Sequence, residues 1–190
     1  MLLKELEKHE VREFVKLMFE CNEDLKRIFG DEYLGREIME NCYKSFESFE
    51  GIFVLKGERI LGFVELKTTE IDRKFPIKPF LIMGITKGLK IRLLLSYFDK
   101  KPKRNEVYVK QICVHPRLNV EDLGETLLDK AIDFALEKGK SVISVWLPVE
   151  SDFVDLCIER GFEIKRMLES TFTQKHFGRK YYYLLQLRLR

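Results

Sequence analysis

Between Glu106 and Val149 the chain changes its hydrophobic period twice. EVYVKQICV (106–114) is β-rich, half alternating and half continuously apolar. Residues 122–138 then place Leu123, Leu127, Leu128, Ile132 and Ala135 on one side of a helix, with Lys138 and Gly139 marking its end. SVISVWLPV (141–149) follows as a strand of the fully buried type. A strand–helix–strand unit of this length implies two parallel strands joined by a right-handed crossover. The rest of the chain has to be built around that unit.

The flanking segments supply antiparallel edges. GIFVLKGERILGFVELK (51–67) holds two β-rich runs on either side of Lys56–Arg59, which predicts a hairpin. Ser151 or Asp152 can cap a short helix over 152–160 that stops at Gly161, and FEIKRMLES and KYYYLLQLRLR close the chain as two further strands. Upstream, the spacing predicts helices over 4–20 and 33–48. Residues 72–104 are broken by Pro76 and Pro79 and carry a helical pattern weakened by Gly84 and Gly88; seven basic residues and one acid, Asp99, lie between Lys87 and Arg104. This stretch reads as a basic helical insertion within a single domain spanning 1–190. The order α α β β (insertion) β α β α β β gives an α/β chain with a mixed, twisted sheet of about six to seven strands and helices on both faces.

Composition narrows the classes. With 34 basic and 31 acidic residues the net charge is only +3, which does not argue for a nucleic-acid partner. Few neutral amides and many Lys and Glu give a thermophile-like balance. The longest apolar run, near Phe80–Ile85, is too short to cross a bilayer, and MLLKELEKHE turns charged at once, unlike a signal peptide. Cys21, Cys42, Cys113 and Cys157 form no CxxC pair, so four reduced thiols in a cytoplasmic protein are expected. His9, His115 and His176 fit no metal spacing, and no metal site is expected.

Three landmarks carry a resemblance: VHP (114–116) closing a buried strand, ALEKG (135–139) before an apolar strand, and CIERGFEI (157–164) at the end of a short helix. Together with the element order they resemble the GNAT superfamily of acetyl-CoA-dependent acyltransferases, well over 105–165 and plausibly over 50–70. The resemblance implies a GNAT-like fold and an N-acyltransferase that moves an acetyl group from acetyl-CoA to an amine by direct attack. The acceptor would be a small amine, a peptide N-terminus or a lysine. The alternative is a module of the same fold that binds CoA, another ligand or a protein partner without turnover.

It also implies roles. The family's loop after VHP reads R/Q-x-x-G-x-G/A and binds the CoA diphosphate through backbone N–H groups at a helix start. Here that loop maps to Asn119, Val120, Glu121, Asp122, Leu123, Gly124, Glu125 and Thr126. Asn119 stands where the family has Arg or Gln, Asp122 replaces the first glycine, and Gly124 keeps the last small position. Glu121 and Asp122 put negative charge beside an anion, at about 1 kcal/mol each for a separation of about 5 Å at a wet surface; as an ordinary role, they complement the helix dipole. Ile112, Cys113 and Val114 occupy the strand end that would pair with the pantetheine arm and aim an N–H at the thioester. Cys157 stands where the family often has a tyrosine acid, with packing as its ordinary role; the tyrosines at 181–183 are possible substitutes. Glu65 and Glu106 are the carboxylates nearest the expected base position. His115 reads as a turn histidine and Trp146 as core. The basic segment 79–104 would lie over the acceptor side, where its ordinary role is a lid helix with solvated lysines; its charge could instead face an acidic acceptor or a membrane surface, and its apolar face would cover the sheet or a partner subunit in a homodimer.

Overall fold

The structure is a computed structural model that describes residues 1–189. Seven strands form one sheet: β1 (Leu2–Glu5), β2 (Ile52–Lys56), β3 (Ile60–Lys67), β4 (Glu106–Val114), β5 (Val142–Pro148), β6 (Glu163–Glu169) and β7 (Tyr181–Arg188). They lie in the order β1-β2-β3-β4-β5-β7-β6. Among the described residues only β4 and β5 are parallel neighbours, joined by the crossover helix α5 (Val120–Glu137). α5 and the short α6 (Phe153–Glu159) cover one face of the sheet. On the other face lie α1 (Val11–Cys21), α2 (Glu23–Phe29), α3 (Glu32–Lys44) and α4 (Ile85–Leu95), with α7 (Thr171–Phe177) beside α2.

The amino-terminal half departs from expectation. Residues 4–20 are not one helix: Leu2–Glu5 pair with β2 as an edge strand, and the helix begins only at Val11. α2 and α7 were not foreseen. Each has seven residues and ends on a glycine with positive φ, Gly30 and Gly178. The residues that link β3 to β4 do contain the expected helix, shortened to α4 and preceded by a 3-10 turn at Lys78–Met83. A Cβ on Gly88 would lie 2.2 Å from the Phe80 carbonyl oxygen, so glycine there is what lets the turn pack onto α4. Buried Lys67 pairs with Asp72 at 2.8 Å and Asp99 at 2.5 Å, pinning both ends of the segment to β3.

The sheet is interrupted between its two parallel strands. β4 and β5 pair from Glu106/Val142 only as far as Val109/Val145 and then part. At that point β4 carries a bulge: Glu65 faces Gln111 and Leu66 faces Val109, leaving Lys110 as the extra residue. A bulge sharpens the local twist. Beyond it β4 stays with β3 and β5 stays with β7, and a gap opens between them.

Candidate functional site

A cavity of about 790 Å³ occupies this gap. Lys110–Val114 of β4 and Trp146–Pro148 of β5 line its two sides. The residues Leu118–Glu121 that open α5, and Asp152, Phe153 and Leu156 of the α6 turn, close one end. Cys21–Leu25, Leu94, Phe98, Phe177, Arg179 and Tyr182 close the other. The strand edges facing the cavity have no strand partner among the described residues past Val109 and Val145, so backbone groups stand open along the gap.

Of the residues read from the sequence, Ile112, Cys113, Val114, Asn119, Val120 and Glu121 line the cavity. Asn119 caps α5: its Oδ1 accepts from the Glu121 N–H at 3.0 Å, taking one of the donors a helix start leaves free. Asp122 is exposed just outside. Leu123 packs against the core beneath α5, and Thr126 donates to the Asp122 carbonyl at 3.0 Å. Glu125 points to Arg160 at 3.1 Å, tying α5 to the end of α6. Gly124 is buried, and its missing side chain makes room for α6: a Cβ there would lie 2.8 Å from Leu156 Cδ1 and 3.0 Å from Phe153 Cε1. Close helix packing therefore explains this glycine without a ligand.

The three candidate acid–base residues lie away from the cavity. Cys157 is fully buried in the core under α5, and burial pushes its thiol up to about 12. Glu65 is also fully buried. Tyr43 donates to it at 2.7 Å, Lys110 at 3.0 Å, and Arg73 stands 3.9 Å away. Burial would raise its carboxyl, but Lys110, Arg73 and Tyr43 outweigh burial and hold it below the ordinary carboxylate value. Glu106, at the opposite end of β4, is likewise held down against burial by Lys100, Ser144 and the Lys103 N–H. Both carboxylates are satisfied structural anions. His115 accepts from the Arg117 N–H at 3.2 Å and sits 3.5 Å from Glu20, as a turn histidine does.

One expectation is corrected. The four cysteines are not all free thiols: Cys21, at the end of α1, is paired in a disulfide with Cys113 on β4, with Cα atoms 6.2 Å apart. Cys42 and Cys157 are free and buried. The pair lies 92 residues apart in sequence and across two layers, so no local spacing could signal it.

The end of the cavity beside α2 and β7 holds residues that no motif marked. Asp24 on α2 is half-buried; burial raises its carboxyl, with Arg179 and Arg27 opposing. The Tyr182 hydroxyl is buried and has no hydrogen-bond partner among the described residues.

Solved acetyltransferases superpose on the whole chain. One acetyltransferase superposes with a TM-score of 0.72 at 15% identity, covering all of both chains. Ard1 from Thermoplasma volcanium gives 0.61 at 12% identity, over 100% of this chain and 97% of that one. The ribosomal-protein-S18-alanine N-acetyltransferase of Escherichia coli gives 0.57 at 13%, over 99% and 93%. The chain has the GNAT fold. Neither a family model nor a curated protein matches the sequence, so the likeness is one of fold at low identity. β4, which VHP closes, and α6, which RGFE follows, both contribute to the lining of the cavity. Among the described residues no helix is long and apolar enough to cross a membrane.

Proposed function

We propose that the chain is an N-acetyltransferase that carries the acetyl group of acetyl-CoA to an amine by direct attack, with both substrates bound together. The observation that supports this best is the gap between β4 and β5, with a cavity running through it and the first turn of α5 at one end. The residues present suit acetyl-CoA. The open strand edge at Ile112–Val114 offers backbone partners to an amide-bearing arm, and the α5 turn from Asn119 to Leu123 offers N–H groups to a diphosphate. Acetyl-CoA brings an activated acyl carbon; the chain's own residues position it and exclude water.

In this reading a β4 backbone N–H polarises the thioester carbonyl, and the walls hold the amine in line with it. The Asn119 cap and the carboxylates of Glu121 and Asp122 reduce the pull of the α5 turn on an anion, so the affinity is expected to be modest. With a dissociation constant of about 100 µM, about 1 mM acetyl-CoA would add about 1.4 kcal/mol of stability. The test pairs a melting curve with a thiol-release assay. A rise in Tm with acetyl-CoA, and free thiol on adding an amine, are expected. A Tm unmoved by millimolar acetyl-CoA contradicts the reading. Binding without thiol release from any amine makes the chain a binding module.

A further inference from the structure

The acceptor-side corner of the cavity has a chemistry of its own. Its walls are apolar and largely aromatic: the Phe98 ring lies 4.5 Å from Tyr182, 5.6 Å from Phe177 and 6.1 Å from Trp146. Among the polar groups of the lining, which include Gln111, Glu150 and Arg179, two lie within electrostatic reach of each other beside these rings. One is the Tyr182 hydroxyl, only 3% exposed and without a partner, on a residue that lines the cavity. A buried hydroxyl in that state costs stability unless a ligand completes it. The other is the Asp24 carboxylate.

The two cations lining the cavity each face acids of the chain. Arg179 Nε stands 3.6 Å from Asp24 and 3.7 Å from Glu150, and Lys110 is bound to Glu65 at 3.0 Å. Acids match or outnumber the cations there, which disfavours a substrate carboxylate. We propose that this corner is the acceptor site and takes a primary amine on an aromatic or aliphatic body that lacks a carboxylate, its nitrogen meeting Asp24 and Tyr182. The inference rests on the acyl-transfer reading and names that reaction's acceptor.

The step balances. The ammonium gives one proton to Asp24, and the neutral nitrogen attacks the acyl carbon. A carbon–nitrogen bond forms as the carbon–sulfur bond breaks, the second nitrogen proton goes to the departing sulfur, and Asp24 returns its proton to solvent. The Tyr182 oxygen accepts an N–H from the amine and fixes its direction. The groups acting on Asp24 are Arg179 before β7, Arg27 and Glu23 on α2, and Glu150 after β5; burial outweighs the two arginines and leaves the carboxylate a better proton acceptor. Burial and the Asp24 charge keep the Tyr182 phenol protonated.

The experiment is calorimetric titration of 2-phenylethylamine and of phenylalanine into the wild-type chain, Asp24→Asn and Tyr182→Phe, each with and without acetyl-CoA, followed by thiol-release kinetics. Phenylethylamine is expected to bind at least tenfold more tightly than phenylalanine. Asp24→Asn should weaken it at least tenfold and Tyr182→Phe several-fold, with the melting temperatures of both variants held or raised. Where turnover occurs, Asp24→Asn should remove the acid limb of the kcat pH profile. Equal binding of the two ligands, wild-type affinity in both variants, or displacement of the amine by a basic peptide would overturn the proposal. Failure of the acyl-transfer reading shows separately, as loss of acetyl-CoA binding while amine binding persists.

Discussion

Two carboxylates on the same side of the sheet show how differently one fold can use an acid. Glu65 sits between β3 and α3 with a tyrosine and a lysine donating to it and a guanidinium nearby; its charge is matched and its proton affinity lowered. Asp24 sits at the wall of the cavity with one shared arginine, and burial raises its proton affinity. The first arrangement stabilises the fold and leaves little chemistry. The second gives up some stability and leaves a group able to take a proton. Environment separates them, since both are ordinary carboxylic acids.

The largest effect should come from breaking the matched site. Glu65→Ala leaves Lys110 and Arg73 buried without their anion, which should cost about 3–5 kcal/mol in a denaturant titration. Gly124→Val tests whether the α5–α6 contact is packing first. Overfilling it should cost about 1–3 kcal/mol, and a stability loss with acetyl-CoA affinity unchanged would confirm a structural glycine. The pH dependence has opposite signs at the two acids. Glu65, lowered from its ordinary 4.5, contributes stability that is complete above that value and lost as pH falls through its folded value. Asp24, raised from 3.8, contributes only below that value, and the contribution is lost as pH rises through the folded one. Glu65→Gln should therefore flatten the acid side of the stability curve, measured by melting from pH 3 to pH 7. Asp24→Asn should be the smallest change, neutral to slightly stabilising at pH 7. A marked loss of stability there would make Asp24 a second structural anion and erase the contrast.

The cysteines repeat the pattern on a smaller scale. Alkylation of the unfolded, unreduced chain should label two thiols, Cys42 and Cys157, and reduction should bring the count to four.

What the sequence disclosed follows the range of the forces involved. β4, α5 and β5 each carry their own period, so the crossover unit was legible within two residues at each end of α5, whereas the gap between the strands depends on the bulge at Lys110 and was not. α2 and α7 were not, because seven residues give barely two turns and their burial depends on each other and on the sheet. Asp24 was lost with α2. Tyr182 belonged to a tyrosine run noted as a possible substitute acid, but its face is set by pairing with Pro148. Glu65 was drawn toward the site by proximity along the hairpin; Lys110, 45 residues away, ties it into the core instead.

The gap between β4 and β5 is the centre of this account, and amide hydrogen exchange tests it most directly. Adding acetyl-CoA should slow exchange at the open edge of β4 between Lys110 and Val114 and at the first turn of α5, while the paired stretch Glu106–Val109 stays unchanged. Exchange that is unaltered at 110–114, or slowed only at another surface, would contradict it.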